Sequence, residues 1–143
     1  MIDKALGAAI VAIVILGGLA GAFAYLNITA KPKVLREAPE VTATIVINFG
    51  NGIALNYTIT TKNATVYGFL LEAAKPENGN FTVKATYWAS FDSMLVDQIG
   101  NAVGGTDNKW WLYYVNGVLG EMGCDKYIVE NDDYIEWKFE GYS

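Results

Sequence analysis

Histidine is absent from the chain and cysteine occurs once, at Cys124. Without them no Cys/His zinc site, Ser-His-Asp triad or Cys-His dyad can be assembled within the chain. One cysteine also excludes an internal disulfide, and Cys124, beside Gly123, reads as a small semi-buried residue, because free cysteine is among the most buried residue types. Positive charge is scarce as well. From Val41 to Ser143 there are six Lys or Arg against twelve Asp or Glu, with no basic cluster, so nucleic acid is not an expected partner. No cofactor or metal is expected either. The acidic residues Glu121, Asp125, Glu130, Asp132, Asp133 and Glu136 are the only acid-base candidates, and most lie around a turn, where Asp and Asn serve backbone geometry. The expectation is a protein that is not an enzyme.

Long apolar runs are confined to one place. Ala5 to Leu26 carries no charge over 22 residues, about 33 Å as a helix, which matches the hydrocarbon core of a bilayer. A transmembrane-type helix within residues 1–28 is therefore expected. It reads as a retained anchor facing lipid; Ala22-Phe23-Ala24 also fits a signal-peptidase site, and a pilin-like N-terminus processed after Lys4-Ala5 is a third reading. Gly17 and Gly21 form a GxxxG that would let a neighbouring helix approach closely. The flanking charges favour neither orientation strongly, but four Asn-x-Thr sequons, at Asn27, Asn56, Asn63 and Asn80, point to an extracellular domain. Asn56 and Asn80 are placed on the polar faces of strands as glycan acceptors, Asn63 doubles as a helix N-cap, and Asn27 lies very near the span. Residues 29–40, with two prolines and mixed charge, read as a linker.

Residues 41–143 then form one domain, too short for two cores. Val41, Ala43, Ile45, Ile47 and Phe49 alternate along a first strand; Gly50-Asn51-Gly52 turns the chain; Ile53, Leu55, Tyr57 and Ile59 alternate along a second. The period then lengthens: Val66, Phe69, Leu70 and Ala73 mark one crossing helix that ends at Lys75-Pro76. Phe81, Val83, Ala85 and Tyr87 give a third strand, 94–99 is ambiguous, and Gly100 to Asn108 is a Gly-rich loop.

The aromatics concentrate in Lys109 to Glu140. Trp110, Leu112 and Tyr114 alternate with Trp111, Tyr113 and Val115, and Ile135, Trp137 and Phe139 alternate with charged residues, as in paired strands. Asn116-Gly117 is a hairpin turn. One aromatic face must be core and the other free. The phase that turns Trp111 and Tyr113 outward is preferred, because Trp110, Leu112 and Tyr114 run in step with Asn116 toward the core edge; the opposite phase exposes Trp110 and Tyr114. Trp110, Trp111, Tyr113, Tyr114 and Asn116 are thus the candidate partner-binding residues.

Thr65-Val66 with Leu70-Leu71, Val96-x-x-Ile99-x-Asn101, Trp110-Trp111-x-Tyr113-Tyr114-Val115-Asn116-Gly117, Tyr127, Val129 and Asp132-Asp133-Tyr134-Ile135-x-Trp137 carry a resemblance. The run from Ala43 to Phe139 resembles the transcobalamin-like C-terminal family, a β-grasp domain of mostly unassigned function on microbial cell surfaces and the smaller domain of vitamin B12 carriers. It departs at Asp132, where the family usually has glycine. The resemblance implies an α+β fold, a β-grasp (ubiquitin-like) domain with a mixed sheet and one crossing helix. It also implies a compact module presenting an aromatic surface. A cobalamin-like ligand is a fainter implication, since the carriers' main binding surface belongs to a helical domain not contained in this sequence. Two functions follow as expectations: a membrane-anchored extracellular binding module or, alternatively, a structural subunit of a surface filament or membrane complex, self-associating through the N-terminal helix.

Overall fold

The computed structural model describes residues 36–142. Strand β1 (Val41–Asn48) and strand β2 (Ala54–Thr61) form the antiparallel hairpin that the alternation predicts, with Ala43 opposite Ile59, Ile45 opposite Tyr57 and Ile47 opposite Leu55. Partners across a ladder share a face, so these apolar pairs build one side of the sheet. At the turn, Gly50 has φ +76, and a Cβ there would lie 2.6 Å from the Phe139 carbonyl oxygen, so only glycine fits.

Helix α1 (Val66–Ala74) buries Val66, Phe69, Leu70 and Ala73 against this face. Its N-cap is Thr65, whose hydroxyl oxygen accepts the Gly68 N–H at 2.9 Å, and not the expected Asn63. Asn63 stands outside the helix, donating its N–H to Thr61 Oγ1 at 3.1 Å. The cap belongs to the residue directly before the first inward apolar side chain, which here is Thr65. The next two N–H groups, of Val66 and Tyr67, are satisfied by the carbonyls of Tyr127 and Cys124, which ties the 120–127 loop to the helix start.

Strand β3 (Val83–Trp88), β4 (Ser93–Ile99) and β5 (Ala102–Val103) follow, then β6 (Lys109–Val115), β7 (Val118–Leu119) and β8 (Tyr134–Gly141). The main sheet runs β2-β1-β8-β6-β7, with β1 and β8 parallel at its centre and the other pairs antiparallel. Strands β3, β4 and β5 form a separate three-stranded sheet. Ile45, Ile47, Ile135, Trp137 and helix residues Phe69 and Leu70 make the centre of the core.

These findings correct the expected α+β class. Strand accounts for 47% of the structure and helix for 11%, because the only α-helix among the described residues has nine residues and the ambiguous stretch at 94–99 is a strand. The Phe81 to Tyr87 strand pairs with it to make an arm of its own instead of joining one mixed sheet. Among the described residues no helix is long and apolar enough to cross a membrane. The expected span at 5–26, its Gly17 and Gly21, and the sequon at Asn27 lie outside the described residues.

Candidate functional site: an apolar pocket between the two sheets

The aromatic strand β6 settles its phase through β8. Trp111 pairs with Phe139 and Tyr113 with Trp137, while Trp110, Leu112 and Tyr114 pair with Glu140, Lys138 and Glu136. Since Trp137 and Phe139 face the helix, Trp111 and Tyr113 are core, 4% and 7% exposed. The preferred outward phase is thereby reversed. Trp111 Nε1 donates to the Ala102 carbonyl at 2.9 Å and its ring packs between Phe49 and Phe139; Tyr113 donates its hydroxyl to the Met122 carbonyl at 2.5 Å and packs on Trp137.

The other phase, Trp110 and Tyr114, reaches the outer face, yet both rings have partners within the chain. Trp110 lies against the Gly-rich loop: a Cβ on Gly104 or on Gly105 would meet its ring at 3.4 Å. The Lys138 ammonium sits 4.5 Å above the Tyr114 ring, whose hydroxyl donates to Glu140. Asn116 clamps the turn. At φ +52 in the turn, it gives its amide N–H to Asp133 and takes the Tyr134 N–H on its side-chain oxygen, each at 2.9 Å. The neighbouring acidic turn is similarly engaged, Asp133 Oδ2 accepting the Glu130 N–H and Asn131 Oδ1 the Thr42 N–H, both at 2.8 Å. Asp132 stands at φ +71, the left-handed region that favours glycine.

Of the sequons, Asn56 is exposed on the outer face of β2. Asn80 is exposed but stands at φ +52 just after the turn at 76–79, before β3 begins, and not on a strand. Asn63 is exposed with its side chain close over Gly68, where a Cβ would meet its Cγ at 2.5 Å.

A pocket of about 680 Å³ opens between the small sheet and the edge of the main one. One wall is the tip of the β3–β4 hairpin and the first residues of β4. The other is β6, Leu119 and the loop 120–126, and Trp137 closes the inner end. Its rim is apolar and uncovered: Phe91 is 77% exposed, Met122 54% and Trp88 48%. Trp88 and Phe91 escape a sequence-based assignment because they lie outside the dense aromatic block, and Met122 because it sits in the loop between that block's strands and carries no ring. The available signal was two large aromatics, Trp88 and Phe91, flanking the short turn Ala89-Ser90 with no core position to fill.

The loop wall is held by specific contacts. Tyr113 crosses Gly120 so closely that a Cβ there would fall 2.1 Å from its ring, and one on Gly123 would fall 1.7 Å from Ser93 Oγ. Asp125 latches this loop to the small sheet, its Oδ1 accepting the Met94 N–H at 3.0 Å and the Ser93 hydroxyl at 3.3 Å. Lys126 lies 3.7 Å from Asp125 and 3.6 Å from Asp92, at the hairpin tip. Burial pushes the Asp125 carboxyl up, but the Met94 N–H, its own backbone N–H, the Lys126 charge and the Ser93 hydroxyl outweigh it and hold the group below 3.8. Asp92 is also held low, first by the Tyr87 hydroxyl that donates to it and then by Lys126. In the pocket wall, burial and then the Asp125 charge push the Cys124 thiol up to about 12, so it is no nucleophile near neutral pH.

Asp125→Asn is expected to weaken the latch. A carboxyl whose folded value lies below its unfolded one contributes stability above the unfolded value of 3.8, and loses it as pH falls through the folded value. Denaturant unfolding of both proteins from pH 6 to pH 2.5 should show the wild-type advantage shrinking below about pH 4. A difference that stays constant over that range contradicts the latch.

The family described as a domain of unknown function (DUF4430) matches residues 63–141, a stretch that contains α1, the small sheet, the pocket and β8. The chain belongs to this family. No curated protein sequence matches this DUF4430 chain. Among solved structures it is similar to haptocorrin in complex with Cbi, with a TM-score of 0.62 and 14% identity over 77% of this chain and 27% of that one. It is also similar to a suggested metal-binding protein from Ruminococcus gnavus, with a TM-score of 0.57 and 17% identity over 71% of this chain and 99% of that one. At these identities the likeness is one of fold. Among the described residues of the DUF4430 chain, no three Cys, Asp or Glu are grouped to hold a metal.

Proposed function

We propose that this DUF4430 chain is a non-catalytic binding module whose pocket between the two sheets takes a largely apolar small ligand. One observation carries the reading: a concave, mainly apolar space of about 680 Å³ with Trp88, Phe91 and Met122 standing uncovered at its mouth. That volume lies in the range of small-molecule sites, and uncovered aromatics at a cleft mouth are a recurring feature of surfaces that bind. Haptocorrin, the fold neighbour with a ligand in its structure, holds Cbi, which makes a cobalamin-like molecule one candidate. This chain spans about a quarter of haptocorrin's length, 27%. Titration with Nile red, a neutral apolar dye, and dialysis against cobalamin test the proposal. Saturable one-to-one binding of either supports it, and binding of neither sinks it.

We place the module outside the cell, since Asn56, Asn63 and Asn80 are all exposed. Glycopeptide mapping of material from its own cells should find glycans on Asn56 and Asn80 and little on Asn63, which packs over Gly68. Bare asparagines at all three positions contradict this placement.

A further inference from the structure

One residue that lines the pocket, Trp137, carries an unused donor. Trp137 is 2% exposed, and its Nε1–H is the buried side-chain polar group with no acceptor among the described residues. The contrast with Trp111, equally interior and bonded to the Ala102 carbonyl, shows that this fold can satisfy an indole where it needs to. Buried donors in folded proteins are paired in nine cases out of ten or more, and an unpaired one costs stability. Trp137 is surrounded by apolar core residues and the Tyr113 ring, whose hydroxyl is committed to Met122. The pocket that Trp137 helps to line is the space from which an acceptor can come.

The rest of the lining limits what that acceptor belongs to. Lys126 is engaged by Asp92 and Asp125, the Cys124 thiol donates to the Met94 carbonyl at 3.5 Å, and Glu121 is exposed. No free cation faces an anionic ligand, and Glu121 opposes one. We infer that the pocket selects neutral, mainly apolar molecules carrying a carbonyl or similar acceptor oxygen, and that Trp137 Nε1–H is the donor that reads this oxygen. The assignment rests on the pocket being a binding site, and it adds the ligand's chemical class and the residue that recognises it.

Two neutral dyes separate the possibilities: Nile red, which has a carbonyl oxygen, and N-phenyl-1-naphthylamine, which has none. The full chain is labelled with ¹⁵N, and the Trp137 indole resonance is identified by its loss in Trp137→Phe, a change that keeps a large ring and removes the N–H. Saturation with Nile red should move the Trp137 indole proton downfield and slow its exchange with solvent, while the naphthylamine should do neither. Trp137→Phe should weaken Nile red about 5- to 10-fold more than it weakens the naphthylamine, the difference expected for one neutral hydrogen bond. If Nile red binds while the Trp137 proton does not respond, as when a water molecule alone serves it, the donor assignment is overturned and the pocket stands. An equal response to both dyes overturns it too, since an acceptor is then not being read. Binding of neither dye overturns the pocket and the assignment together.

Discussion

Alanine at both Trp111 and Tyr113 is expected to leave no folded domain. Each ring is buried on the helix side of β6, and each links two parts of the core: Trp111 packs with Phe49 at 5.5 Å and Phe139 at 5.0 Å, Tyr113 with Trp137 at 5.5 Å and Tyr127 at 6.0 Å. Truncating a large buried aromatic costs roughly 3–5 kcal/mol, and domains of this size are stable by roughly 5–15 kcal/mol. The lost hydrogen bonds add to this, because the Ala102 and Met122 carbonyls lose their donors. Circular dichroism should show no cooperative melt. A double variant that melts like the wild type contradicts the inward phase.

Trp137→Ala is expected to cost about 3–5 kcal/mol and to lower the melting temperature by some 15 °C or more. The residue occupies the middle of β8, opposite Ile47 on one side and Tyr113 on the other, in the same cluster as Val66, Phe69 and Leu70. Its removal leaves a void where β1, β8, β6 and the helix meet, and a backbone at the centre of a five-stranded sheet cannot collapse into it. The unpaired Nε1–H subtracts from what the native ring contributes, which places the cost toward the lower end. A change in melting temperature of only a degree or two contradicts the central position of Trp137.

Much of this was legible in the chain. Ile135, Trp137 and Phe139 alternate with Glu136, Lys138 and Glu140, so the inward face of β8 is unambiguous from polarity alone. The hairpin of β1 and β2 and the four inward helix positions follow from the same rule. The phase of β6 was not legible, because both of its faces are aromatic and hydrophobicity cannot choose between them. Pairing with β8 chooses, and that contact is made across some twenty residues whose path no local pattern records. Thr65 and Asn63 are both good caps, and the adjacency of Thr65 to Val66 was the signal that separates them. The pocket was hidden for a different reason: its walls come from the hairpin tip near Trp88, the loop around Met122 and the strand at Trp111, and nothing in any one segment reveals the space between them.

On the proposed function, ligand enters between the sheets and not on the outer face of the main sheet. A Nile red titration of two double variants tests it most directly. One, Trp88→Ala with Phe91→Ala, strips the pocket mouth; the other, Trp110→Ala with Tyr134→Ala, strips exposed rings of the outer face. A binding site between the sheets should give at least a 10-fold loss of affinity in the first, about 1.4 kcal/mol, and a change of less than about 2-fold in the second, roughly 0.4 kcal/mol. Loss of binding in the second variant with the first unaffected would contradict it.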